Sequence, residues 1–366
     1  MQHILFFIPN IERGGIEKNL VLLSDYFIKR KYNVHIIFGK ISKEVKKKLN
    51  KKITLIKCKK IIKTKFVSPR ILHTINCFLY TLINYKFKKK QIILSFQDHP
   101  LSILVSKIKK IPCVIRIANH PLGSLSYFNN NLIFFIKINI KKIFYFFASG
   151  IICNSKSSTS FFKKIYKNKK IINIYNPIQL INIRKKYKKN NDYIISVGRL
   201  QNQKNFSGLI ESFKLVSNKI NNIKLVIVGS GSEKKNLQNL SNKLKISKKI
   251  FFIKYKNANQ LINSAKLFVL NSLWEGLPNI LIETQMLKTP ILSSNCLSGP
   301  NEILEYGKLG YLSPVNDKKK LAKKIVHIYE NYPKALKKAA LGFRRLNRFD
   351  YSQQCKKYEN FLNKFI

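Results

Sequence analysis

The 366-residue sequence is short of acid. Its 16 Asp and Glu stand against 70 Lys and Arg, giving a formal net charge of +54, and residues 99 to 191 contain no acid at all. The aspartates, at 25, 98, 192, 317 and 350, stand far apart, so no Asp-x-Asp pair exists to chelate a divalent metal. The six histidines fall at no metal-ligand spacing, and neither a metal nor any other cofactor is expected. Six cysteines, at 58, 77, 113, 153, 296 and 355, form no Cys-x-x-Cys pair. That excludes a disulfide scaffold and fits a reducing cytoplasm. Cys113 and Cys153 lie in apolar runs and read as small buried hydrophobes. No apolar run is long enough to span a bilayer as a helix. The start, Met1-Gln-His-Ile-Leu-Phe-Phe-Ile-Pro9, lacks a cationic leader and a cleavage site, so it reads as a first core strand and not a signal peptide.

What is present supports real cores. The chain is 45% hydrophobic and 12% aromatic, and its length suits two domains of ordinary size. Lys, Ile, Asn and Phe dominate, as AT-rich codons favour, so part of the charge reflects codon bias. The acid-free stretch is expected to face polyanions: an anionic membrane surface, pyrophosphate lipids or nucleic acid. No nucleic-acid module is recognisable and the aromatics do not interleave with the basic residues, so nucleic acid is not expected as a partner. Within that stretch Leu132 to Phe147 is broken by Lys137, Lys141 and Lys142. Its Ile133, Ile136, Ile140, Ile143 and Phe147 fall at helical spacing. The first reading is a helix packed on a core; the second is an interfacial helix on a membrane.

Short apolar runs alternate with helical patterns along the chain. Strands are expected at 3–8, 33–38, 53–56, 91–95, 112–117, 150–153 and 170–174, then at 193–197, 224–228, 250–253, 267–270 and 290–293. Helices lie between most of them, one carrying Ile16, Leu20, Leu23 and Phe27, another Phe206, Leu209, Ile210, Phe213 and Val216. Alternation of this kind argues an α/β chain with doubly wound parallel sheets. The polar, basic run 181–191 reads as a linker. Residues 1–180 then form a first domain and 192–348 a second. A last helix over 351–366, with Tyr351, Cys355, Tyr358, Leu362 and Phe365 on one face, either caps the second domain or returns to the first.

The most telling stretch is Trp274-Glu-Gly-Leu-Pro-Asn-Ile-Leu-Ile-Glu-Thr-Gln285. Pro278 suits a first helical position, which leaves Glu275 in a loop and Glu283 inside the helix. Eight helical steps span roughly 12 Å, about the length of a ribose–diphosphate–sugar chain. Upstream, strand 193–197 runs into Gly198-Arg199-Leu-Gln-Asn-Gln-Lys204-Asn205. This is the carboxyl end of a parallel strand, where such folds bind ligands. Gly198 allows close backbone approach, and Arg199 and Lys204 supply charge for an anion. Strand 224–228 leads into Gly229-Ser-Gly231-Ser-Glu-Lys234. A dinucleotide fingerprint requires a third glycine at 234, and lysine stands there. Gly14-Gly15, before a helix, either frees N–H groups for an anion or is a plain tight turn.

Together these segments resemble the retaining glycosyltransferases of family 4, in order and over nearly the whole chain, most densely from 193 to 317. Ser298-Gly-Pro-Asn-Glu302 and Gly307-Lys-Leu-Gly-Tyr-Leu312 are similar to that family's later loops. The resemblance implies two facing Rossmann-like domains, the GT-B architecture, with the last helix crossing back to the first. It implies a nucleoside-diphosphate sugar donor, UDP by family frequency, held mainly by the second domain. Glu283 would bind the ribose hydroxyls and Glu275 the donor sugar. Arg199 and Lys204 would balance charge on the leaving diphosphate in place of a metal. Gly14, Gly15, Gly198, Gly229, Gly231, Tyr255, Gly276, Leu277 and Asn279 would line the donor site. Either Asn119 or His120, after strand 112–117, would stand near the reacting sugar. The implied acceptor is a lipid-linked or glycan intermediate of surface polysaccharide or lipopolysaccharide assembly at the inner membrane face. The alternative is a catalytically inactive basic binding protein on the same fold.

Overall fold

The structure is a computed structural model. It describes residues 1–12, 14–59, 61–62, 68–97, 99–123, 131–180, 191–255 and 258–366. The chain divides into two compact units. The first comprises residues 1–121, 125–179 and 349–366; the second comprises 122–124 and 180–348. The segment read as a linker lies outside the described residues except for Asn191, which opens a strand.

In the first unit the strands are β1 (His3–Phe7), β2 (Asn10–Ile11), β3 (Asn33–Phe38), β4 (Lys40–Ile41), β5 (Thr54–Lys57), β6 (Gln91–Ser95), β7 (Cys113–Ile117), β8 (Gly150–Cys153) and β9 (Ile171–Asn173). Seven of them form one sheet in the order β5-β3-β1-β6-β7-β8-β9, while β2 and β4 make a separate pair. Every pairing in the seven-stranded sheet is parallel. The helices are α1 (Gly15–Lys29), α2 (Lys43–Lys48), α3 (Pro69–Ile83), α4 (Pro100–Lys109), α5 (Asn131–Phe146) and α6 (Lys156–Ile165). Both faces of the sheet are covered, which is why its strands read as unbroken apolar runs. Along β1, Ile4 and Phe6 enter one cluster with Leu20, Leu23 and Phe27 of α1. Leu5 and Phe7 enter another, with Ile103 of α4 and Phe162 of α6. That is the period of two a strand imposes.

The second unit repeats the plan. Its strands are β10 (Asn191–Val197), β11 (Lys224–Val228), β12 (Ile250–Ile253), β13 (Ala265–Leu270), β14 (Ile291–Ser294) and β15 (Tyr311–Ser313). They form a parallel sheet in the order β12-β11-β10-β13-β14-β15. Its helices are α7 (Phe206–Ser217), α8 (Lys234–Lys243), α9 (Ala258–Ser264), α10 (Asn279–Met286), α11 (Pro300–Ile303), α12 (Lys318–Glu330) and α13 (Tyr332–Arg344). The predicted stripe Phe206, Leu209, Ile210, Phe213 and Val216 is buried in the core with Ile194, Leu225 and Leu267. In both units the chain reverses direction of travel across the sheet at one place, between β1 and β6 and between β10 and β13. At such a switch point two successive loops diverge and leave a crevice at the carboxyl ends of the strands.

The final helix, α14 (Tyr351–Leu362), belongs to the first unit. Cys355, Tyr358 and Leu362 are fully buried in the cluster that contains β1 and α1. Glu359 accepts hydrogen bonds from Tyr26 at 2.8 Å and Arg30 at 3.2 Å. Beneath it lies Arg116 of β7, 1% exposed. Its Nε donates to the Tyr358 hydroxyl at 3.0 Å and its Nη2 to Asn176 Oδ1 at 2.6 Å. The guanidinium also lies 4.6 Å from the centre of the Phe96 ring.

One element departs from expectation. α5 forms, but the stripe read as its core-facing side points to solvent: Ile136, Ile140, Ile143 and Phe147 are 48, 47, 62 and 46% exposed. The opposite side is the one that packs, with Tyr145 and Ala148 buried and Phe144 half-buried against the same cluster as α4 and α6. The side chain of Ile133 lies outside the described residues. Spacing identifies a stripe, not what covers it, and here Tyr145 and Ala148, off that stripe, took the core side.

Candidate functional site

Three acids of the second unit lie buried at the carboxyl edge of its sheet. Glu275, Glu283 and Glu302 are 6, 9 and 8% exposed. Glu275 lies in the loop after β13, Glu283 in the second turn of α10, and Glu302 in α11 after β14.

Glu275 is held from two sides. Lys204 Nζ forms an ion pair with its Oε1, and both side chains are largely buried. The Ser272 hydroxyl donates to the same oxygen at 2.6 Å. Lys204 ends a short turn after β10, and Asn205, left-handed at φ 46°, begins α7 with its side chain capping the Gly208 N–H. The β10 and β13 loops are laced together. Gln203 Nε2 donates to the Trp274 carbonyl at 2.9 Å, the Leu273 N–H donates to the Gln203 carbonyl at 2.8 Å, and Asn271 Nδ2 donates to the Asn205 carbonyl at 3.1 Å. The Lys204–Glu275 pair thus stands at the topological switch of the sheet, on loops locked by backbone bonds.

The loop after β14 closes the far side. Ser294 and Cys296 both donate to the Ser272 carbonyl, at 2.5 and 3.2 Å, and Ser298 donates to the Gly276 carbonyl at 3.2 Å. Burial pushes the Cys296 thiol up to about 12, so it stays protonated and acts as a donor. Gly299, at φ +82°, brings its α-carbon so near the Gly276 carbonyl that a β-carbon would lie 1.7 Å from that oxygen. Leu277 and Asn279 are buried beside this junction. α10 begins at Asn279 with Pro278 as its N-cap, one residue later than the sequence reading placed it.

The remaining expected residues take varied positions. Arg199 is exposed and has no ion-pair partner among the described residues, in contrast to Lys204. Gly198 lies against the aliphatic stem of Lys204, 3.4 Å from where its β-carbon would stand. Gly229 and Gly231 are needed for packing between loops. A β-carbon at 229 would meet the Gly198 carbonyl at 1.9 Å, and one at 231 the Leu200 carbonyl at 2.2 Å. Tyr255 is half-buried after β12.

The first unit holds the other expected residues. Asn119 is exposed. His120 is buried against Phe161, ring centres 5.5 Å apart, and burial lowers its pKa. The structure therefore separates the two: an outward amide and an inward, neutral imidazole. Gly14 caps α1 and Gly15 opens it. The Glu17 carboxylate folds back over Gly14, 2.9 Å from where a β-carbon would sit, so the positive end of α1 already faces an anion of its own chain.

Sequence reasoning did not single out Ser272, Ser294 or Cys296. Ser272 carried a local signal, a serine three residues before a glutamate. Ser294 and Cys296 reach the site only through the sheet order.

Comparisons with known proteins point the same way. Residues 180–341 match the family model "Glycosyl transferases group 1". An uncharacterized glycosyltransferase of Methanocaldococcus jannaschii is 37% identical over 199 residues, covering 47% of this chain and 49% of that protein. A Campylobacter jejuni enzyme, the N-acetylgalactosamine-N,N'-diacetylbacillosaminyl-diphospho-undecaprenol 4-alpha-N-acetylgalactosaminyltransferase, is 27% identical over 201 residues, covering 53% of this chain and 54% of that one. The chain thus spans about half the length of the curated relatives it matches. The crystal structure of Anabaena HepE in complex with UDP-glucose is similar over 100% of both chains, with a TM-score of 0.80 and 18% identity. That likeness establishes the fold, two Rossmann-like domains of the GT-B glycosyltransferase type.

Proposed function

We propose that the chain is a retaining, metal-independent glycosyltransferase of the family 4 kind. It transfers a sugar from a nucleoside diphosphate, most simply UDP, to a lipid-linked or polysaccharide acceptor at the inner face of the cell membrane. The single observation that carries this reading is the buried Glu275–Lys204 pair, braced by Ser272, at the switch point of the second sheet. The family match over 180–341 supports the reaction class. UDP-glucose in the HepE crystal supports a UDP-sugar donor, and the diphospho-undecaprenol in the Campylobacter enzyme's name supports a lipid-linked acceptor.

In this reading Glu283 accepts hydrogen bonds from the ribose hydroxyls and Glu275 from the donor sugar. The bond between the sugar's anomeric carbon and the β-phosphate oxygen breaks, and negative charge grows on the departing diphosphate. Arg199, exposed to an incoming anion, and Lys204, fixed on the same β10 loop, stabilise that charge; such preorganised electrostatics is the largest expected contribution to rate. The acceptor oxygen bonds to the anomeric carbon on the face the diphosphate leaves, and its proton passes to the departing phosphate. Configuration is thereby retained. Gly229, Gly231 and Tyr255 border the nucleotide, and the 14–15 loop with Asn119 or His120 serves the acceptor side.

The test is donor turnover in the presence of EDTA, with the anomer assigned by NMR. Glu283→Ala and Arg199→Ala are each expected to lower turnover by about 100-fold or more, the scale of a lost transition-state donor, while melting normally. Near-wild-type turnover in both would reject the assignments. Turnover that vanishes with EDTA and returns with Mg²⁺ would reject the metal-free route. Absence of any turnover or UDP-induced thermal shift in the unaltered protein would favour the inactive binding protein.

A further inference from the structure

We infer that α5 is the face by which the first unit lies on an anionic lipid bilayer, its outward side chains entering the headgroup layer. This deepens the membrane placement proposed above and rests on that placement, not on the sugar or the linkage.

The helix is amphipathic with its polarity reversed relative to the fold. Tyr145 and Ala148 anchor it to the core, while Ile136, Ile140, Ile143, Phe146 and Phe147 are all between 46 and 64% exposed. Positions 136, 140, 143 and 147 recur at four-, three- and four-residue steps, which places them on one side of the helix and the turn that ends it. Such contiguous apolar stripes on a water-facing surface mark an interaction site. Phe146 and Phe147 also bound a shallow hollow of about 390 Å³ with Lys142, Ile143, Ile165 and Tyr166.

Charge selects the occupant. Lys107 stands 5.4 Å over the Phe147 ring and Lys169 5.8 Å over the Phe146 ring. Cations therefore flank the exposed aromatics, as expected where an apolar face meets phosphate headgroups. The surrounding sequence, residues 99 to 191, offers no carboxylate to neutralise them. A second copy of this chain would bring the same cations against these and repel. A bilayer rich in anionic lipid answers both features at once, with acyl surface for the isoleucines and phenylalanines and negative charge for the lysines.

The experiment is sedimentation of the full chain with vesicles of phosphatidylcholine alone or with about one third phosphatidylglycerol, a composition that supplies the surface potential cations read. Binding is expected only to the anionic vesicles and should weaken at least about tenfold between 0.1 and 0.5 M NaCl, as screening shortens the field's reach. Ile140→Glu/Ile143→Glu should abolish it, with the melting temperature unchanged because both positions face water. Ile140→Trp should strengthen it, and the fluorescence gained by that variant should shift to the blue with anionic vesicles only. The UDP-induced thermal shift serves as control: retained in the double variant, it separates loss of docking from loss of the donor site. Equal binding to neutral vesicles, undiminished binding of Ile140→Glu/Ile143→Glu, or an unshifted emission spectrum of the Ile140→Trp variant would each overturn the inference. So would a dimer that the double variant dissolves, or capture of RNA in place of vesicles.

Discussion

At the candidate site, Glu275 is fixed by two contacts. Glu275 shares one oxygen between Lys204 and Ser272. Removing one partner of a buried pair strands the other charge, which typically costs about 3–5 kcal/mol. Glu275→Ala is therefore expected to lower stability by about 3 kcal/mol, measured by urea denaturation, and to abolish donor turnover. Glu275→Gln, which keeps the shape and the serine contact, should recover part of the stability and none of the turnover. Gly299→Ala tests the loop closure. With a left-handed φ and a carbonyl 1.7 Å from the new carbon, the loop must move; a loss of about 2–4 kcal/mol is expected, combining overpacking with backbone strain. An unchanged melting curve would show that the 299 turn has freedom the packing denies it. The sequence made Glu275 and Lys204 visible, because charged residues at the carboxyl ends of strands in a parallel sheet point to a ligand edge. It did not show that they pair with each other, since the partners lie 71 residues apart and meet only through the sheet order. Nor did it show that His120 faces inward and Asn119 outward, because a loop after a strand has no fixed period to assign sides.

At the level of elements, the strands were the legible part. Runs such as Ile4–Phe7 and Leu225–Val228 are apolar without interruption because helices cover both faces of each sheet. β15 escaped notice because three residues between the Gly307–Gly310 turn and Pro314 carry no period. α5 was recognised as a helix and assigned the wrong covering, since a stripe looks the same whether a core or a membrane faces it. α14 was both seen and placed, and it supplies a further test. The Tyr358 hydroxyl accepts a hydrogen bond from the buried Arg116 Nε across a sequence separation of 242 residues. Tyr358→Phe leaves that cationic donor unsatisfied, and a loss of about 2 kcal/mol in urea denaturation is expected. A change below about 0.5 kcal/mol, the range of ordinary surface substitutions, would mean that the Phe96 ring and Asn176 hold the guanidinium unaided.

Across the whole molecule, three histidines act in one direction below neutral pH. Burial lowers the pKa of His120, and burial followed by neighbouring positive charge lowers those of His3 and His35. In each case the unfolded chain binds its proton at about pH 6.5 while the folded chain resists it. The unfolded state therefore carries more protons below that value, and folding free energy falls as pH drops through about 6.5 toward the lowered folded values. Urea midpoints should change little between about pH 7.5 and 8 and decline steadily by pH 5.5. Substitution of His35 and His120 by Asn should flatten that decline; an undiminished slope in the double variant would assign it to other groups. Among the described residues no helix is long and apolar enough to cross a membrane.

The docking of α14 also bears on how the molecule comes into being. Ile4, Phe6 and Ile8 leave the ribosome well before Cys355, Tyr358 and Leu362, yet the cluster they occupy is completed by those three. Domains ordinarily fold in order of emergence, the earliest first. Here the first unit must wait, with part of one sheet face open and Arg116 uncovered, until residues 351–362 have been translated. The second unit thus has the opportunity to mature before the first is sealed, and a nascent chain stalled anywhere before Tyr351 presents an unfinished surface for chaperones to shield.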